Sequence, residues 1–244
     1  DLAADFRLDK ASEYLKWYKQ KHRAPNFIKK SIYALPELTG KKIKGFKIIG
    51  CPGCYPTSVL LPLIPLIKKK LLKLDHFIID SKSGYSGAGR GVHIKYKDKN
   101  LYQSLSAYGI GFHRHNSEIE QEIKKYNKHK LTFTFTPHLS PMFKGILSTI
   151  YVDINKGKTI KNLHNELVKF YKKSAFVKVQ KPNTLISTYD VIDTNNCNIS
   201  VCKSKYKNKA IILSSIDNLI KGGAGQAIQN MNILYNFNAK EGLK

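Results

Sequence analysis

The residue best suited to covalent chemistry is Cys54, in the stretch Gly-Cys-Pro-Gly-Cys-Tyr-Pro-Thr-Ser at 50–58. A short apolar strand runs into a Pro-Gly turn, and apolar residues at helical spacing follow the cysteine. A thiol at a helix start sits at the positive end of the macrodipole with backbone N–H groups aimed at it. Both effects favour the nucleophilic thiolate over a free thiol of pKa about 8.5. A thiolate needs a proton partner, and Gly-Phe-His-Arg-His at 111–115 offers two. If that segment is extended, His113 and His115 share a face and Arg114 points away. Glu118 or Glu120 could orient the working ring. The plainer alternatives are a buried structural cysteine and a solvated His-Arg-His turn.

Three other segments carry polar or glycine-rich patterns. Ser-Gly-Tyr-Ser-Gly-Ala-Gly-Arg-Gly at 83–91 can bring backbone amides against a phosphate or a flat ring, with Arg90 as a candidate anion ligand. It lacks the spacing of a P-loop or a dinucleotide fingerprint. Segments 135–145 and 216–232 place Lys144 and a run of Asn and Gln among small residues, which suits a pocket or a buried interface. The four cysteines, Cys51, Cys54, Cys197 and Cys202, make a four-thiolate zinc site a rival reading. Against it, Cys54 runs straight into a helix, whereas a zinc knuckle turns both cysteines of a pair inward.

The elements that must hold these residues read as a mixed α/β pattern. Strands are expected at 46–50, 76–80, 131–136, 146–154, 176–180, 198–203 and 210–215. Helices are expected at 11–21, after Cys54, from a capping box at Asn116 or Ser117, at 160–173, and from Asp217 or Gly225 toward Tyr235. Pro62 and Pro65 should bend or interrupt the helix that Cys54 opens. Neighbouring strands with long connections imply a partly antiparallel sheet with helices on one face.

Composition narrows the classes further. With 244 residues and 42% apolar content the chain can bury a real core, so disorder is excluded. No apolar run of transmembrane length and no signal-peptide pattern occur in the sequence given, so a cytoplasmic protein without membrane contact is expected. The net charge of +25 raises a nucleic-acid partner, but only Arg7, Arg23, Arg90 and Arg114 among the 42 basic residues are arginine. Lysines scattered over the whole chain fit solvated faces, and no nucleic-acid partner is expected.

In order along the chain, Asp-Leu-Ala-Ala-Asp-Phe-Arg-Leu, Ala-Leu-Pro-Glu-Leu, Pro-Gly-Cys-Tyr-Pro-Thr-Ser, the glycine loop, His-Arg-His-Asn-Ser-Glu-Ile, 135–145 and 216–232 resemble the N-acetyl-γ-glutamyl-phosphate reductases of arginine biosynthesis. The resemblance implies a glyceraldehyde-phosphate-dehydrogenase-like α/β catalytic domain with a mixed sheet at 54–216. It also implies the remnant of a Rossmann domain at 1–53 and a terminal helix, 217–244, returning toward it. The implied reaction is NADPH-dependent reduction of a small-molecule acyl phosphate through a thioester on Cys54, with His113 or His115 as acid and base. Gly87, Ala88, Gly89, Asn230 and Asn232 match cofactor positions, and Arg90, Arg114, Glu118 and Lys144 are the substrate-binding candidates. A homo-oligomer, NADP(H) as cofactor and no metal complete the implied picture. Related reductases of aspartyl or carrier-bound aminoadipyl phosphate remain alternatives.

Three positions depart from the family pattern: Cys51 where Asn is usual, Lys144 where Arg is usual, and Asp193 where Gly is common. A glycine-rich turn after an N-terminal strand is also absent. The given sequence is therefore expected to be a fragment that starts within the dinucleotide-binding domain.

Overall fold

A computed structural model describes residues 1–88, 102–127 and 130–244. Two parallel strands, β1 (Ser31–Tyr33) and β2 (Ile48–Gly50), pair in the first fifty residues, with α1 (Ala11–Tyr18) and a short α2 (Pro36–Thr39) around them. The rest is built on one mixed sheet of seven strands. These are β3 (Leu72–Gly84), β4 (Ser106–Ala107), β5 (Phe133–Ser140), β6 (Ile146–Ile154), β7 (Val177–Val179), β8 (Cys197–Lys203) and β9 (Lys209–Ile216), in the order β4-β5-β3-β6-β9-β8-β7. The β3–β5 and β7–β8 pairs are parallel and the others antiparallel.

Helix α3 (Cys54–Lys68) crosses the middle of this sheet, packed on β3, β6 and β9 and flanked by α4 (His115–Lys124) and α5 (Ile160–Tyr171). Every residue from Tyr55 to Ile67 is buried, as expected of a helix apolar all round. β6 alternates accordingly: Ile146, Ser148, Ile150, Val152 and Ile154 face the helices, while Tyr151 is exposed on the uncovered face. Among the described residues no helix is long and apolar enough to cross a membrane.

Two expectations are corrected here. Pro62 and Pro65 do not break α3. Pro65 cannot donate to the Leu61 carbonyl, but Tyr171 of α5 does, with its hydroxyl at 2.6 Å in the core. Nor is there a capping box at α4. The Ser117 hydroxyl donates to the Arg114 carbonyl at 2.6 Å and the Asn116 amide to the His113 carbonyl at 3.0 Å, so neither side chain caps the helix. The capping box lies at α5, where Thr159 and Asn162 bond reciprocally. The last helix, α6 (Gly225–Tyr235), follows one wide turn, Ile220–Ala224.

Candidate active site

The start of α3 carries an unusual set of backbone donors. Of the amides left without helical partners at an N-terminus, that of Gly53 donates to Glu118 Oε2 at 2.9 Å, and Pro56 has none. The amides of Cys54 and Tyr55 remain, and both favour the thiolate of Cys54. Burial opposes them and is the larger effect: it pushes the Cys54 thiol up to about 11. The amides at the helix start act in the direction read from sequence, and burial outweighs them.

Two glycines let neighbours close onto this turn. A Cβ on Gly53 would lie 2.4 Å from His115 Nε2, and one on Gly222 would lie 2.6 Å from the Cys54 Cβ. The imidazole of His115 therefore lies flat against the residue before the thiol, and the Lys-Gly-Gly turn that precedes α6 lies on the thiol residue itself. Gly53→Ala keeps a permitted backbone, since φ is −69°. Its cost should be steric: displacement of the imidazole, with kcat lowered about 100-fold and KM much less affected. Steady-state kinetics of the full-length variant would check this, and an unchanged kcat would remove the contact from consideration.

His113 and His115 are brought together, with ring centroids 4.8 Å apart, although the segment is a turn into α4 and not extended. Arg114, which an extended segment would have turned away from the two rings, stacks over Tyr18 with its guanidinium carbon 5.1 Å from the ring centre. Burial, with smaller contributions from Arg7 and Arg114, holds His115 well below the usual histidine range. His113 is lowered to about 3 by burial first, then by His115 and Arg114. Both shifts favour the neutral imidazole over the imidazolium. His113 uses its Nδ1 to accept the His115 backbone N–H at 3.2 Å, whereas His115 Nδ1 has no partner. Beside His113 a hollow of about 750 Å³ opens, walled by Trp17, Tyr108 and Phe112 with Lys16, Lys19 and Arg114.

Glu118, a substrate-binding candidate from sequence, is placed otherwise. It is fully buried, and its oxygens are occupied by Arg7 Nη1 at 3.3 Å, the Tyr33 hydroxyl at 3.0 Å and the Gly53 amide. His115 Nε2 is 3.8 Å away, so Glu118 stands beside the imidazole, while Glu120 pairs with Lys124 at the surface. Arg7 went unnoticed as a site residue because it stands more than a hundred residues from its carboxylate partner.

The glycine loop begins as the end of β3, and Gly84 with its 3-10 turn, Tyr85–Ala88, lies on residues 142–145 through three backbone bonds of 2.8–3.0 Å, from Gly84, Tyr85 and Ser86. Gly87 and Ala88 reach the surface, and Asn218 links the turn to the next segment, donating to Ser86 Oγ at 3.1 Å and accepting from Gly145 N–H at 2.7 Å. Gly89 and Arg90 lie outside the described residues. Lys144 pairs with Asp193 and lies 4.0 Å from Asp217. Asp193 has φ of +60°, the left-handed region that favours glycine, so two of the departures from the family pattern meet each other. Asn230 donates to the Ala34 carbonyl at 3.0 Å, and Asn232 to the Glu241 carbonyl at 2.9 Å. Both cofactor candidates therefore turn their amide N–H groups into the protein. All four cysteines are free, and among the described residues no three metal-ligating side chains converge.

The whole chain aligns at 44% identity with an N-acetyl-gamma-glutamyl-phosphate reductase of Clostridium beijerinckii, covering 71% of that protein. The chain belongs to the N-acetyl-gamma-glutamyl-phosphate reductase family. A probable chloroplastic N-acetyl-gamma-glutamyl-phosphate reductase of Arabidopsis thaliana is also 44% identical, and there the chain spans 61% of the relative's length. Residues 54–218 match the family described as semialdehyde dehydrogenase, dimerisation domain. Among solved structures, aspartate semialdehyde dehydrogenase II from Vibrio cholerae superposes with a TM-score of 0.67 at 13% identity, over 93% of this chain and 78% of that one. The likeness is one of fold: an α/β, glyceraldehyde-phosphate-dehydrogenase-like domain on a mixed sheet.

Proposed function

We propose that this chain carries the catalytic part of a reductase that converts N-acetyl-L-glutamyl 5-phosphate to N-acetyl-L-glutamate 5-semialdehyde, with NADPH as reductant. The observation that carries the reading is a thiol at the start of a central helix, with a buried imidazole packed on the glycine that precedes it, in a member of this family. Cys54 attacks the acyl carbon as His115 takes the thiol proton, a thioester forms, and inorganic phosphate leaves with the electrons of the broken bond. The Cys54 and Tyr55 amides are the donors available to the oxyanion. A bound nicotinamide nucleotide supplies the hydride that reduces the thioester. Gly87 and Ala88 suit its approach as a turn at the surface, held in place because Gly87 packs directly on the buried Ser83 hydroxyl. Release of the aldehyde returns the proton from His115 and frees the thiol.

His113 buttresses His115 in this reading, and the cationic hollow at Arg114 suits the anionic substrate, with Lys144 as a second anion contact. Residues 1–53 belong with dinucleotide binding, 54–216 with catalysis, and 217–244 close over the thiol. Self-association fits the description of the matching family as a dimerisation domain, and the uncovered sheet face exposes Ile78 and Tyr151.

The test is run in reverse on the full-length protein: phosphate-dependent reduction of NADP by N-acetylglutamate semialdehyde, with aspartate semialdehyde and NAD as competitors. Preference for the N-acetylated substrate and for NADP is expected. Preference for aspartate semialdehyde would move the chain to the sister activity.

A further inference from the structure

Arg7 lies far from the thiol in sequence and is nearly buried, with 13% of its side chain exposed. Its Nε donates to the Cys51 carbonyl at 2.7 Å, Nη2 to the Leu2 carbonyl at 3.0 Å, and Nη1 to Glu118 Oε1 at 3.3 Å. Glu118 in turn holds the Gly53 amide at 2.9 Å and stands 3.8 Å from His115 Nε2. One guanidinium thus grips both ends of the Cys51-Pro-Gly-Cys54 turn: the start through a carbonyl, the end through a carboxylate. That same carboxylate stands at the imidazole. A planar fork with several fixed donors suits this task, and an ammonium does not.

We propose that Arg7 is a positioning residue for the Cys54–His115 pair, fixing the turn that presents the thiol and, through Glu118, the ring that takes its proton. The proposal rests on Cys54 being the nucleophile. It also gives Arg7 an electrostatic part. The charged and titratable groups facing the sulfur from the elements around it are Arg7, Glu118 and Tyr55, with the His115 ring against Gly53. Arg7 is the cation among them, and it favours the thiolate while keeping His115 neutral. A purely structural arginine, anchoring residues 1–9, would leave the chemistry of the thiol untouched.

The experiment uses the full-length protein with Arg7→Met and Arg7→Lys, reading iodoacetamide alkylation of Cys54 against pH, with Cys54→Ser as blank, and kcat and KM separately. Arg7→Met should shift the alkylation midpoint to higher pH and slow the reaction at pH 8 by about tenfold, one pKa unit being tenfold in thiolate. It should also lower kcat with KM within about twofold. Arg7→Lys keeps the charge without the fork, so the midpoint should stay near that of the parent while kcat falls by about tenfold. A folded Arg7→Met with the parent's midpoint and kcat overturns the proposal. Should Arg7→Met fail to fold, a parent-like kcat in Arg7→Lys overturns it equally. Alkylation needs no substrate, so an error in the assigned reaction would appear as absent turnover in the parent protein, with the Arg7 effect on alkylation intact.

Discussion

Replacing Cys54 with alanine should lower turnover of the full-length enzyme by about four orders of magnitude or more, because the thioester cannot form and no neighbouring group replaces it. The substitution is clean for a structural reason. Gly222 contacts the Cα and Cβ of Cys54, and alanine keeps both. The Gly53–Glu118 bond and the buried helix behind the residue do not involve the sulfur. The thermal midpoint should therefore hold within a few degrees, since the loss is a single sulfur at the helix start and not a core side chain. Single-turnover kinetics with the acyl phosphate, alongside a melting curve, separate the two effects. More than about 1% residual release of phosphate with an unchanged melt would sink the nucleophile assignment.

The pH dependence follows from the same burial. Burial raises the Cys54 thiol and holds His115 below the usual histidine range, so both shifts favour thiol and imidazole over thiolate and imidazolium. Proton transfer then accompanies attack. The helix dipole was visible in the sequence pattern, whereas the desolvation that outweighs it depends on how deeply the turn is packed.

The strand and helix periods were legible because α3 and β6 obey a single rule, one apolar all round and the other strictly alternating. The β6 bounds, 146–154, were readable to the residue, since the alternation is unbroken. What escaped was non-local. Proline inside α3 is tolerated because Tyr171, from a helix a hundred residues later, supplies the missing donor. The surroundings of Glu118 escaped for the same kind of reason: its partners, Arg7, Tyr33 and Gly53, lie on three segments that only the fold brings together. Asp193 stands where glycine is common in the family, and its φ of +60° gives the physical reason for that glycine.

The second large effect is expected in stability. Lys221 is fully buried with its ammonium 2.5 Å from Glu37 Oε1 and 2.8 Å from Gln229 Oε1, above the ring of Phe176. Gln229 also donates to Glu37 at 2.9 Å and accepts from Asn195 at 2.9 Å. This network ties α2, the wide turn and α6 into one body, and the next residue along the chain, Gly222, is the one that lies on Cys54. Lys221→Met removes the cation and leaves a carboxylate buried with Glu37 Oε2 already unpartnered. Breaking a buried pair from one side costs about 3–5 kcal/mol, whereas replacing both partners by apolar groups is often close to neutral. Urea denaturation should therefore show a loss of that size for Lys221→Met and recovery of most of it in Lys221→Met with Glu37→Leu. A single variant costing under about 1 kcal/mol would mean that water reaches Glu37 and relieves it. If the double variant regains stability but not kcat, the ion pair serves to hold Gly222 against the thiol, and its energetic cost is tolerated for the geometry it imposes.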